Sequence, residues 1–118
     1  MHKNYEVLSE RDWPKNRYIP IATVNLQPEY FVENNKAKFF QSEEQIGLVQ
    51  TAYLKLNSGL YVMLMFIEFT PEEGISICVQ ESLKQPVKEY LNEIINILML
   101  DRKVISWEID QFVWESLF

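Results

Sequence analysis

Between Leu60 and Phe69 the chain reads LYVMLMFIEF, apolar at both alternating sets of positions. In an extended strand Leu60, Val62, Leu64 and Phe66 line one side, and Tyr61, Met63, Met65, Ile67 and Phe69 line the other. The run therefore predicts a central strand covered on both faces. Thr70-Pro71-Glu72-Glu73-Gly74 carries turn residues, and Ile75 to Gln80 alternates as a returning strand, which together predict a hairpin. From Gln85 to Leu100 the period changes. Val87, Tyr90, Leu91, Ile94, Ile95 and Leu98 recur at three- and four-residue spacing, with Lys88, Glu89, Asn92 and Glu93 opposite them. That pattern predicts an amphipathic helix with Pro86 in its first turn. Val104 to Ile109 reads as a last strand. Asp110 to Phe118 reads as a short helix or tail, and its Phe112, Val113, Trp114, Leu117 and Phe118 require a surface to dock on.

The first half is less regular. Met1 to Asn16 is polar and ends in the turn-prone Trp13-Pro14-Lys15-Asn16, which delivers Trp13 to the edge of the core. Tyr18 to Leu26 is rich in β-branched residues, but Pro20 lacks a ladder donor, so the segment belongs at an edge or a bulge. Gln27 to Gln41 fits two readings, a short helix opened by Pro28 or a ribbon turning at Glu33-Asn34-Asn35-Lys36. Ser42 to Leu56 has capping-box spacing at Ser42 and Gln45. Gly47, Val49 and Thr51 are nevertheless poor helix residues, and Leu48, Leu54 and Leu56 alternate, which favours a strand. Asn57-Ser58-Gly59 then serves as a hairpin loop. The expected architecture is α+β: one domain over residues 1–118, a mainly antiparallel sheet of four to six strands, and one long helix over 85–100 on one face.

Composition narrows the function classes. Hydrophobic residues make up 47% of 118 positions, enough to build a single core. No apolar run approaches the ~20 residues that span a bilayer, and Met1 to Glu10 lacks a signal-peptide core, so the expected location is cytoplasmic. The single Cys78 forms no internal disulfide, which fits a reducing compartment. A net charge of −6 argues against nucleic acid, whose phosphates require clustered Lys and Arg. The acidity is uneven. Leu56 to Leu83 carries only Glu68, Glu72, Glu73 and Glu81 as charged residues, and Val104 to Phe118 only Glu108, Asp110 and Glu115.

Candidate chemistry is sparse. His2 is the only histidine, so Cys-His pairs and Ser-His-Asp triads have no base near a nucleophile. Zinc spacing, calcium-loop spacing and phosphate-cradling glycines are missing, so no metal and no cofactor is expected. Cys78 sits between Ile77 and Val79 as an inert buried thiol. Glu68, near the end of the apolar strand, is the best acid/base candidate, and with Glu108 it would act as a carboxylate dyad only at the right separation. Trp107 and Trp114 beside Glu108, Asp110 and Glu115 have the composition of an interface for a cationic surface.

In size, acidity and lack of catalytic residues the chain resembles bacterial immunity proteins and inhibitors that neutralise a basic toxin or nuclease. That resemblance rests on no specific motif. The leading expectation is a non-catalytic, protein-binding module whose partner-binding residues are Glu72, Glu73, Glu81, Trp107, Glu108, Asp110, Trp114 and Glu115. A second reading is a structural or adaptor subunit that forms homo-oligomers through a strand edge or the aromatic tail. A third is a small-ligand binder or carboxylate enzyme built around Glu68 or the tyrosines.

Overall fold

The computed structural model describes residues 4–44, 47–68, 74–81 and 85–117. In chain order these form β1 (Tyr5–Leu8), β2 (Tyr18–Val24), α1 (Pro28–Asn35), β3 (Phe40–Glu44), β4 (Gly47–Leu56), β5 (Tyr61–Ile67), β6 (Ile75–Gln80), α2 (Val87–Leu98), β7 (Ile105–Glu108) and α3 (Gln111–Glu115). All the strands join one antiparallel sheet in the order β1-β4-β5-β6-β2-β7, with β3 also paired to β4. The α+β class holds. The sheet has seven strands among the described residues, more than the four to six expected, and α2 is 12 residues long, shorter than a helix over 85–100. Strands β5 and β6 pair from Met63↔Cys78 to Met65↔Ser76, as the expected hairpin requires; Thr70 to Glu73 of its turn lie outside the described residues.

The extra strands come from segments with weak sequence signals. Residues 5–8 lie in the stretch that reads as polar and unstructured, yet they pair with β4 from Tyr5↔Leu56 to Leu8↔Tyr53. The segment Ser42 to Leu56 is extended, as favoured, but Ser42 to Glu44 belong to β3, which folds back on β4 with Glu44 opposite Gly47. Gln45 of the capping-box reading lies outside the described residues. Leu8 faces Tyr53 and Phe40 faces Thr51, so β1 and β3 lie end to end along one side of β4.

Within Gln27 to Gln41 the helix reading holds for α1, opened by Pro28 and closed by Lys36 in the left-handed region at φ 59°, while Phe40 and Gln41 begin β3. The N–H groups of Lys36 and Ala37 both turn back to the Phe31 carbonyl, which satisfies the helix end. Asn35 ties three elements together: its carbonyl accepts from Tyr5 Oη at 2.9 Å and its Nδ2 donates to the Leu98 carbonyl at 3.4 Å. Pro20 sits at a register shift between Pro20 and Ala22, and β7 covers β2 only from Ala22 to Val24. The proline thus occupies the expected bulge, although β2 itself lies between two strands.

One core joins the helices to one side of the sheet. Ala52, Leu54, Leu56, Val62, Leu64, Ile77 and Val79 share that side by alternation and pack with Phe31, Leu91, Ile94, Leu98 and Trp114. The opposite side departs from the expectation of a strand covered on both faces. There Tyr61, Met63, Met65 and Ile67 of β5 are only partly buried, whereas Val62 and Leu64 are fully buried. What covers part of that side is the segment after β1, a 3₁₀ turn over Glu10–Asp12 followed by Trp13. The Trp13 ring lies 4.5 Å from Tyr18, 4.8 Å from Tyr53 and 5.6 Å from Tyr61 between centroids. No helix among the described residues is long and apolar enough to cross a membrane.

Candidate interaction surfaces

Strand β7 ends one edge of the sheet and leads into α3 through Ile109 and Asp110. Asp110 is the N-cap of α3, with Oδ1 accepting the Phe112 N–H at 2.7 Å, so part of this acidic group is committed to starting the helix. Around it Trp107, Glu108, Phe112, Val113, Glu115 and Leu117 are exposed, Phe112 to 79% and Trp107 to 47%. Trp114 is a correction to the sequence reading. It is 1% exposed, faces Tyr90 at 6.1 Å between ring centroids, and donates Nε1–H to the Gln85 carbonyl at 2.9 Å. Its ring is an anchor of α3 on α2 and presents nothing to a partner. Phe112 takes its place as the second exposed aromatic, a residue the pairing of tryptophan with acid overlooked; its i−2 offset from Trp114 on a short helix is the signal that separates the two faces.

The other acidic candidates do not gather here. Glu81 follows β6 at the end that pairs with Tyr18, whereas β7 meets β2 at Ala22 to Val24, roughly 15 Å further along the strand. Its carboxylate receives Arg17 Nε at 3.0 Å, and its N–H donates to the Arg17 carbonyl at 3.0 Å. Glu72 and Glu73 lie outside the described residues, as do His2 and Phe118.

Glu68 follows β5 and accepts a hydrogen bond from Gln50 Nε2 at 2.9 Å through Oε1. Between β5 and β7 stand β6 and β2, so Glu68 and Glu108 are three strand spacings apart, roughly 14 Å, and the register places Glu108 in the row of Ala22, Ile77 and Leu64, roughly 13 Å further along the strands from Glu68. Carboxylate dyads of glycosidases need about 5–9.5 Å, so these two groups do not act together. Cys78 is fully buried, and burial pushes its thiol up to about 12, which leaves no thiolate at neutral pH. Burial also raises Tyr18 and Tyr53 above the ordinary phenol value. No cluster of three metal-ligating side chains occurs among the described residues.

The half-covered side of the sheet holds a second surface. The register places Trp107, Thr23, Ser76, Met65, Thr51 and Phe40 in one row across six strands, with an exposed tryptophan at one end. Beside Phe40, at the other end, Ser9, Glu10, Arg11, Asp12 and Lys15 bound an open groove of about 890 Å³. The groove carries both signs of charge, and Ser9 Oγ is already bonded to Asp12 Oδ2 at 2.9 Å. Comparison with protein-family models, curated proteins and solved structures finds no match.

Proposed function

We propose that this chain is a non-catalytic protein-binding module that holds a basic partner against β7 and α3, in the manner of a small acidic inhibitor or immunity protein masking a cationic site. The observation that carries this reading is that Trp107 on β7 and Phe112 on α3 are both exposed and adjoin in sequence the exposed carboxylates Glu108, Asp110 and Glu115, in a stretch without Lys or Arg. Exposed aromatics supply contact area at low entropic cost, and surrounding carboxylates steer a basic surface toward them. Chemistry finds weaker support: Glu68 is held by Gln50, and the Cys78 thiol is buried and protonated.

The test is recovery of the full chain from its native cells at low and high salt, alongside Trp107→Ala/Phe112→Ala. The expected result is one basic protein that accompanies the unaltered chain at low salt, dissociates as salt rises, and is lost with the double variant. Recovery without a basic partner, or with one indifferent to both salt and the double variant, overturns the reading.

A further inference from the structure

We propose that the outer edge of β3 is a self-association site, at which two copies of this chain pair antiparallel about a two-fold axis. Strand β3 has β4 on one side only, and its residues Gln41, Ser42, Glu43 and Glu44 are all exposed. Its register with β4 is regular, without the bulge found in β7 at the opposite edge. A bulge twists an edge away from further pairing, and β3 has no such protection.

The backbone direction follows from one hydrogen bond. Glu68 N–H donates to the Leu48 carbonyl at 2.9 Å, so the peptide groups of Leu48 point to the β5 side. Alternation turns those of Val49 toward β3, where they meet Ser42. Phe40, Ser42 and Glu44 therefore spend their backbone groups on β4, while Gln41 and Glu43 direct theirs outward.

Charge selects the occupant. Lys36 and Lys38 precede the strand, Glu43 and Glu44 end it, and Phe39 to Ser42 between them are uncharged. Lys36, Lys38, Glu43 and Glu44 are exposed, and no ion pair among the described residues engages them. Such a segment is complementary to itself when reversed. An axis at Gln41 sets that residue opposite its own counterpart, Phe39 opposite Glu43, Phe40 opposite Ser42 and Lys38 opposite Glu44. The outward groups of Gln41 then meet those of the other Gln41, and each opposed pair lies on one face of the enlarged sheet, as antiparallel pairing requires. A two-fold axis repeats the Lys38 and Glu44 contact at both ends. This surface is remote from β7 and α3, so its test is independent of the proposed partner.

Sedimentation velocity of the full chain over a range of concentrations is the measurement. The expected result is a monomer–dimer equilibrium whose Kd rises about tenfold or more with Lys38→Glu or with Glu44→Lys, since each change converts two attractions into repulsions. Mixing the two variants restores association, because the Lys38→Glu chain is acidic at both positions, the Glu44→Lys chain is basic at both, and the two are complementary at each end. Gln41→Pro removes an N–H that points away from β4, so it abolishes the dimer while thermal unfolding shows the monomer still folded. A chain that stays monomeric throughout, or pairs only with a different polypeptide, overturns the proposal. So does a dimer whose Kd the charge variants leave unchanged or whose mixed variants fail to associate.

Discussion

Gln111 Oε1 accepts the backbone N–H of Val87 at 2.9 Å, so a residue of α3 caps the first turn of α2. The cap comes from outside the helix because Pro86 occupies the N-cap position and offers no side-chain acceptor. Trp114 adds the bond from Nε1 to the Gln85 carbonyl, and Tyr90 Oη accepts the Gln85 N–H at 3.2 Å. The C-terminal helix is thereby made part of the start of α2.

Removing the cap tests this coupling. Gln111→Ala is expected to lower stability by about 1 kcal/mol, the usual cost of a lost N-terminal cap. Trp114→Ala, which empties a fully buried site, is expected to cost about 3–5 kcal/mol. Urea unfolding followed by circular dichroism reads both; equal effects for the two variants would show that α3 is not docked through its ring.

Met99 ends α2 in the left-handed region at φ 57°, and its N–H and that of Leu100 return to carbonyls of the last turn. The side chain is 84% exposed and contributes little packing. Glycine adopts this conformation without a Cβ penalty. Met99→Gly is expected to raise stability by about 0.5–1 kcal/mol, seen as a higher midpoint with an unchanged denaturant slope.

Gly74 precedes β6 at φ 122°, and a Cβ there would run into the carbonyl of Val24. Because the obstacle is backbone in a paired strand, neither side yields cheaply. Gly74→Ala is expected to lose about 2–4 kcal/mol from clash and backbone strain together. The open position Gly59, also at positive φ but with nothing near its missing Cβ, is the control: Gly59→Ala should cost less in the same thermal melt.

The alkaline limb of stability follows from Cys78. Its folded value, about 12, lies above the ordinary 9.0, so the folded chain holds the proton more tightly than the unfolded chain. This contribution is complete below pH 9 and is lost as pH rises toward 12. Tyr18 and Tyr53, raised by burial, act in the same direction above the ordinary phenol value of 10.0. Stability measured by urea titration should fall steadily above pH 9, and Cys78→Ala should make that fall shallower. At about pH 7 a thiol reagent should label the chain only after denaturation.

Legibility in the sequence tracked how much of each signal was local. Strand β5 and helix α2 were readable because their apolar periods persist over enough residues to exclude the alternative. Strand β1, only four residues, has no such period; its partner residues Tyr53 to Leu56 make it a strand. The polar β3 has no such period either, since an exposed edge strand needs no apolar face; Ser42 to Glu44 therefore read as the start of one strand running on to Leu56, not as a strand of their own. At the candidate surface, Trp107 and Trp114 stand in similar acidic surroundings, yet one is half exposed and the other buried. Only the docking of α3 on α2 separates them.

The amino-acid sequence by itself determined that this chain is α+β, that α2 packs by one face, that Pro20 belongs at an edge or a bulge and that Cys78 is buried, because each depends on period or on the chemistry of one residue. Tertiary structure decided which strands share an edge, which tryptophan faces solvent, and that Glu68 and Glu108 stand apart. Those outcomes depend on contacts between residues far apart in the chain, whose closure is set by the whole core and not by any local pattern.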